Sequence, residues 1–119
     1  MLITSMRIRK IEAPTNRLVA KCTITFDGMF AVSDIKVLVK EDGGYYMGMP
    51  SRKTSLGTFK DEAYPVYSEV RGAIENVIFP AVKYSVDNDI ALLNAEIRMG
   101  TNKVSILQQD ISDYELTSL

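Results

Sequence analysis

Hydrophobic and polar residues alternate along the first part of the chain, as a half-buried β-strand requires. The clearest case is the run from Leu18 to Phe26, in which every second residue is apolar. The same period of two around Met6 and Ile8 places Arg7 and Arg9 on the opposite face of an earlier strand. We therefore predict two strands that each have one apolar face, and the first has a basic face behind it.

Two further strands are predicted after this pair. Asp27-Gly28 is a preferred dipeptide for a two-residue type I′ turn, so the strand at residues 29–39 should return antiparallel. The apolar phase of that strand shifts at Ser33-Asp34, and a β-bulge there would restore it. A turn at residues 41–44 then leads into a fourth strand at residues 45–49. The four runs predict an antiparallel meander.

The period changes from two to three or four residues after Pro65. Apolar residues from Val66 to Ala81 form the stripe of an amphipathic helix. Ser68 is the predicted N-cap, because its hydroxyl can accept a hydrogen bond from the first turn. Pro80 is predicted to kink or end the helix near Phe79, because proline removes an internal hydrogen bond.

The C-terminal residues leave two interpretations open. Residues 90–100 can form a helix that ends at Gly100 or a strand that returns to the sheet, and the apolar spacing favours the helix. The segment VSILQQDI is equally open. We therefore predict an α+β fold, with a small antiparallel β-meander sheet and then a C-terminal amphipathic helix. Residues 1–80 form the domain, and residues 81–119 are an extension that packs on it or trails from it.

Composition excludes several kinds of function. The chain of 119 residues has no histidine and one cysteine, Cys22, so an intrachain disulfide, a Cys/His zinc site and a histidine-dependent triad are impossible. Cys22 lies at an apolar position of a strand and is predicted to be a small buried hydrophobe. Nucleotide-binding glycine motifs and paired catalytic carboxylates are also absent from the sequence. We expect no enzyme, no cofactor, no metal and no small-molecule substrate.

No stretch of the sequence approaches the eighteen apolar residues of a membrane span, so we expect no membrane partner and a cytoplasmic location. The formal net charge of -1 also excludes a strongly basic protein. Its cations are nevertheless suited to phosphate, because arginine side chains donate two parallel hydrogen bonds to phosphate oxygens. Spacing alone leaves scattered solvated charge as an equal alternative. The candidates are Arg7, Arg9, Lys10, Arg52, Lys53 and Arg71.

Aromatic residues offer a second kind of contact. Tyrosine rings can stack on bases, although in a small protein they also fill a core or an interface. The tyrosines in question are Tyr45, Tyr46, Tyr64 and Tyr67.

Three segments, in order, resemble the SpoVG family (stage V sporulation protein G, the septation regulator). The shared features are an opening strand with an R-x-R element, an I-T-F-D turn, an M-P-S segment with two basic residues, a G-x-F-x-D element, and a proline followed by a helix with an arginine. The similarity spans about residues 2–80. The segments are RIRKI, ITFDGMFAVSDIKV and MPSRKTSLGTFKDEAYPVYSEVRGAI.

This resemblance implies a small, dimeric, cytoplasmic bacterial protein that binds DNA and RNA and regulates gene expression. It implies that Arg52 and Lys53 occupy the two basic positions of the family and that Arg71 is its helix arginine. Arg7 and Arg9 match family positions too, with a strand-stabilising or interface role as an equal alternative.

We therefore expect a non-enzymatic regulator that contacts the phosphates of DNA and/or RNA. The alternative is a dimeric protein-interaction module whose cations are solvated. A domain of this size gains stability from a second copy, so we expect a homodimer. Its contact is predicted along exposed sheet edges or along the apolar run from Tyr45 to Met49.

Overall fold

The computed structural model describes residues 2–12, 16–98 and 103–107, which form one large sheet, one small sheet and one helix. The strands of the large sheet are hydrogen-bonded in the order β4-β3-β2-β1-β7-β8, and β5 pairs with β6 in a separate hairpin. The α+β prediction is confirmed. The elements are β1 Ile3–Lys10, β2 Leu18–Phe26, β3 Phe30–Val39, β4 Tyr45–Gly48, β5 Ser51–Lys53, β6 Phe59–Asp61, α1 Ser68–Asp87, β7 Leu92–Arg98 and β8 Lys103–Leu107.

The predicted meander of β1 to β4 is present, and its two irregular positions lie where the sequence places them. Asp27 and Gly28 both have positive φ, at 53° and 64°, and the turn is closed by Met29 N donating to Phe26 O at 2.9 Å. The β-bulge is confirmed as well, since the β2–β3 register shifts opposite residues 33–34. Asp34 takes the left-handed conformation there, with φ of 60°.

The interpretation of residues 90–100 as a helix is wrong. Residues Leu92–Arg98 form β7, which pairs antiparallel with β1. Without β7 the outer edge of β1 would leave a row of backbone donors and acceptors unpaired, and a seven-residue run is too short to be stable as a helix on its own. Leu93 and Ala95 of β7 point into the core. Of the segment VSILQQDI, residues 104–107 belong to β8, Lys103–Leu107, and residues 108–111 lie outside the described residues.

The helix also departs from its predicted ends. It continues through Pro80 to Asp87 and buries Ala81, Val82 and Ser85 beyond the proline. Pro80 itself is exposed, so the missing hydrogen bond faces solvent while the following turns gain apolar burial. The N-cap is Tyr67 rather than Ser68, and no side chain caps it. The division of the chain at residue 80 stays a prediction, and the helix runs across that position.

The hydrophobic core lies between α1 and one face of the large sheet. Ile74 and Ile78 of the helix pack with Ile8, Ile24 and similar residues of the central strands, and all four are at most 3% exposed. Ser85 is fully buried, and its hydroxyl donates to Ile90 O at 2.7 Å, which fixes the chain between helix and β7. The opposite face of the sheet carries polar residues of the central strands, among them Arg7 and Arg9, and Leu92 is buried on it beside Arg9. We call this the helix-distal face.

Candidate nucleic-acid interface

The basic pair of the sequence lies in a small hairpin that follows the edge strand β4. β5 contains Arg52 and Lys53, both exposed, and pairs with β6. The turn between the strands is closed by Thr54 N to Thr58 O at 2.7 Å and Gly57 N to Thr54 O at 3.0 Å. Gly57 has φ of 85°, which glycine adopts without strain. The hairpin therefore holds its cations on an ordered backbone.

The pairing register separates the two neighbouring cations. Successive residues of a strand point to opposite faces, so Arg52 and Lys53 project in opposite directions. Arg52 lies directly opposite Lys60 of β6, and Lys53 lies opposite Phe59. Directly opposite residues share a face. The hairpin thus has one cationic face formed by Arg52 and Lys60, and a second face that combines Lys53 with an aromatic ring.

Sequence reasoning missed Lys60 and Phe59. Phe59 and Lys60 come two and three residues after Gly57, and the pairing register of the hairpin is the signal that could have found them. Phe59 is 74% exposed, although an apolar ring is usually buried. An exposed ring beside a cation is the combination that single-stranded nucleic-acid sites use, because bases stack on the ring while the cation contacts phosphate.

Arg71 lies elsewhere, at the junction between the helix and the edge of the sheet. Its guanidinium donates to the backbone carbonyl of Met47 on β4 and pairs with Glu75 one turn along the helix, Nε to Oε2 at 3.7 Å. The side chain is 34% exposed. These contacts give Arg71 a structural role that links α1 to β4, and its predicted phosphate contact stays a prediction.

Arg7 and Arg9 lie on the helix-distal face of β1, as the alternation predicts. Arg7 is half-buried, and burial together with the charge of Arg9 lowers its pKa. Three strand spacings separate β1 from β4, which is roughly 14 Å, so these arginines belong to a different part of the sheet from the strand that leads into the hairpin. The five residues that the family resemblance implies therefore occupy three places: the hairpin, the helix and strand β1.

Lys10, the sixth cation predicted from the sequence, forms ion pairs with two carboxylates. Its ammonium group lies 2.9 Å from Asp89 and 3.8 Å from Glu12, and the hydrogen bond to Asp89 raises its pKa. A cation held by two carboxylates is a poor candidate for phosphate binding.

The tyrosines divide between core and surface. Tyr45 packs edge-on against Phe79 with ring centroids 5.7 Å apart, and burial raises its pKa. Tyr46, Tyr64 and Tyr67 are exposed. Met47 and Met49 belong to the core, so the predicted dimer contact along residues 45–49 is limited to the backbone edge of β4 and its exposed side chains.

A second feature of the surface is an apolar groove of about 360 Å³ between the start of α1, the β2–β3 turn and the loop after β6. Phe30 and Val66 line it and are 66% and 78% exposed, and Tyr64 lies beside them. Exposed apolar residues gathered around one groove are typical of a surface that contacts another protein.

The described residues contain neither a cluster of metal-binding side chains nor a membrane-spanning helix. No group of three or more metal-binding side chains occurs in residues 2–12, 16–98 and 103–107. Over the same part of the chain, no helix has the length and hydropathy needed to cross a membrane.

Comparison with known proteins identifies relatives over the same segment. The sequence model of the SpoVG family matches residues 1–84. A protein of Onion yellows phytoplasma (strain OY-M) named "Putative septation protein SpoVG" is 42% identical over 88 residues, which cover 74% of this chain and 87% of the relative. A protein of the same name from Clostridium novyi (strain NT) is 42% identical over 92 residues, covering 75% and 90%. These matches confirm the resemblance that the motifs predict.

Proposed function

Because this chain belongs to the SpoVG family, we propose that it is a regulatory protein of septation or sporulation that binds DNA or RNA. It acts in the cytoplasm, without catalysis, through contacts to phosphate. The names of its relatives support the link to septation. The observation that carries nucleic-acid binding is the β5–β6 hairpin, with exposed Arg52, Lys53 and Lys60 on a short ordered backbone.

The charge arrangement of the hairpin supports this proposal. Like charges directly opposite each other on paired strands destabilise a sheet, and Arg52 faces Lys60 in this way. Within the described part of the chain, neither residue takes part in an ion pair. A phosphate placed between the two side chains would relieve their repulsion, and the arginine would bind it through two hydrogen bonds.

The second face of the hairpin adds a different contact. Lys53 and Phe59 are directly opposite each other and both exposed. Stacking of a base on an aromatic side chain contributes about 1–3 kcal/mol and tolerates any base. The hairpin therefore favours unpaired nucleotides with little preference for sequence.

A homodimer is part of the proposal. Net charge of -1 makes a single hairpin a weak ligand for a polyanion, and two hairpins on one assembly raise the apparent affinity without new contacts. Binding should fall steeply as salt increases, because each phosphate contact releases condensed counterions.

The experiment compares wild type with Arg52→Gln plus Lys60→Gln. Binding of the purified protein to a single-stranded RNA and to a DNA duplex is measured over a salt series. We expect the double variant to bind at least roughly tenfold more weakly and with a smaller salt dependence. The matched control is Arg17→Gln plus Lys83→Gln, which removes two charges that form ion pairs with Glu41 and Asp87. Equal loss of binding in both double variants, or none in either, would contradict the proposal.

A second candidate is a dimeric protein-interaction module, favoured by the apolar groove around Phe30 and Val66. Phe30→Ser plus Val66→Ser is the variant that separates the two functions. If this variant no longer associates with a second copy or a partner protein, but its nucleic-acid affinity per protomer is unchanged, the groove is assigned to protein contact. A wild-type protein that binds no nucleic acid at low salt would leave this module as the better function.

A further inference from the structure

An exposed leucine lies at the tip of the β5–β6 hairpin. Gly57 N donates to Thr54 O at 3.0 Å and closes the turn, so Ser55 and Leu56 are its two central residues. Leu56 is 89% exposed, more than any other large apolar side chain in the described part of the chain. Turns usually carry glycine, proline, asparagine, aspartate or serine at such positions. None of the contacts proposed for nucleic acid uses this leucine.

The backbone just below the tip is hydrogen-bonded within the hairpin itself. Thr54 N donates to Thr58 O at 2.7 Å, and the hydroxyl oxygens of the two threonines are 2.8 Å apart, a hydrogen-bond distance. Moving a polar group out of water costs free energy unless the group keeps a hydrogen-bond partner. Because these groups are paired with each other, the tip can enter a less polar environment and keep its hydrogen bonds.

Charged residues follow the tip in a fixed order. The first cross-strand pair beside the turn is Lys53 opposite Phe59, and the next pair is Arg52 opposite Lys60. The first acid, Asp61, comes in the third pair. Successive pairs are about 3.3 Å apart along the hairpin. From the tip towards the body of the protein, the hairpin is therefore apolar, then cationic, then acidic.

The three cations of the hairpin are accessible from both of its sides. Arg52, Lys53 and Lys60 are exposed, and successive residues of a strand point to opposite faces. Within residues 2–12, 16–98 and 103–107, none of the three forms an ion pair. A flat surface that meets the hairpin end-on therefore comes within reach of all three cations at once.

This order of groups matches the outer layers of an anionic membrane. Apolar side chains enter the boundary between headgroups and acyl chains, and lysine and arginine side chains near them are attracted to anionic headgroups. We propose that the β5–β6 hairpin binds an anionic lipid surface, with Leu56 inserted at that boundary and the three cations at the headgroup phosphates. This contact goes beyond the proposed function and uses the same cations.

The contact is peripheral and needs no membrane span. The expectation of no membrane partner rests on the lack of a long apolar stretch in the sequence, and an exposed turn requires no such stretch. A single short apolar anchor binds a membrane weakly, so a second signal is needed, and the cations supply it. Two hairpins on one homodimer would raise the apparent affinity further.

The first test compares wild type with Leu56→Ser. Co-sedimentation measures binding to phosphatidylcholine vesicles that contain or lack phosphatidylglycerol. We expect wild type to bind only the vesicles that contain phosphatidylglycerol, and Leu56→Ser to bind them at least roughly fivefold more weakly. Met29→Ser is the matched control, because Met29 is 85% exposed in the β2–β3 turn, and it should bind like wild type. No binding by wild type, or equal binding by the two variants, would overturn the proposal.

The second test measures insertion of the tip directly. The chain has no tryptophan, so Leu56→Trp introduces a single indole at the tip. Its fluorescence emission should move to shorter wavelength when vesicles with phosphatidylglycerol are added, because the indole leaves water. The emission of Met29→Trp should stay unchanged. A shift of equal size in both variants, or in neither, would show that the tip does not insert and would overturn the proposal.

Measurements with RNA separate the lipid contact from nucleic-acid binding. Leu56→Ser should keep its affinity for single-stranded RNA within roughly twofold of wild type. Equal loss of RNA and vesicle affinity in this variant would assign Leu56 to the fold of the hairpin and overturn the proposal. If wild type binds RNA but no vesicles, the lipid contact fails and the proposed function stands. If it binds vesicles but no RNA, the proposed function fails and the lipid contact stands.

The hairpin variant and free phosphate complete the test. Arg52→Gln plus Lys60→Gln should bind the anionic vesicles roughly tenfold more weakly, because two cations near the headgroups are lost. Unchanged vesicle binding in this variant would overturn the proposal. Inorganic phosphate, at the concentration of the lipid, should leave wild type bound to the vesicles. Its displacement would assign the site to free phosphate instead of a lipid surface.

Discussion

Replacement of Arg71 by methionine decides between a structural and a phosphate-binding role for this side chain. The guanidinium donates to the carbonyl of Met47 and pairs with Glu75, so it joins the helix to the edge strand β4. Methionine keeps an unbranched apolar stem of similar reach but has no donor. The comparison therefore isolates the polar contacts from the packing of the stem.

The expected cost follows from these two contacts. A hydrogen bond from a charged donor contributes about 1.5–3 kcal/mol, part of which is the penalty of leaving its acceptor unsatisfied. The ion pair with Glu75 joins side chains that are 34% and 29% exposed, at 3.7 Å, and such a pair one helical turn apart contributes only about 0.3–0.5 kcal/mol. We expect Arg71→Met to lower the free energy of unfolding by about 2–3 kcal/mol.

Urea unfolding followed by far-UV circular dichroism measures this change, and Glu75→Gln is the matched control. The control removes the ion pair but keeps the hydrogen bond, so it should cost about 0.5 kcal/mol or less. RNA affinity of the folded Arg71→Met protein, measured well below its midpoint, should stay within roughly twofold of wild type. An unchanged free energy of unfolding with a large loss of affinity would refute the structural role and support the phosphate contact implied by the family.

Two further predictions concern single residues of the helix and the core. Pro80→Ala should raise the free energy of unfolding by about 2 kcal/mol. An interior proline destabilises a helix by about 3 kcal/mol, but it also restricts the unfolded chain, which stabilises the folded protein by up to about 1 kcal/mol. A thermal midpoint below that of wild type would contradict this prediction. Burial raises the pKa of Cys22 to about 12 from its ordinary value of 9.0, so iodoacetamide at pH 8 should label it only in denaturant. Because the pKa of Cys22 is raised in the folded state, the contribution of Cys22 to stability is complete below pH 9 and is lost as the pH rises from 9 to 12. The free energies of unfolding of wild type and Cys22→Ala, measured as a function of pH, should therefore converge over that range.

The meander could be predicted because each of its signals is local. Alternation of apolar residues identifies a strand from its own side chains, and Asp27-Gly28 selects a turn through the φ values of two residues. The bulge at residues 33–34 was readable for the same reason, since a shift of phase is a property of one strand. The helical stripe after Pro65 likewise depends on spacing within one segment.

The interface could be predicted only in part, because strand pairing decides which side chains share a face. Arg52 and Lys53 are neighbours in sequence but project to opposite sides, and their partners Lys60 and Phe59 come from the next strand. Arg71 has the residue type expected for phosphate, yet the helix places it against the Met47 carbonyl.

By itself, the amino-acid sequence determined the α+β class, the four-strand meander, the amphipathic helix and membership of the SpoVG family. Only the tertiary structure decided that residues 92–98 form a strand and that the helix passes through Pro80. The physical reason is the same for both. β1 needs a partner for its backbone, and residues beyond Pro80 gain burial against the sheet, and neither contribution exists until segments distant in sequence come together.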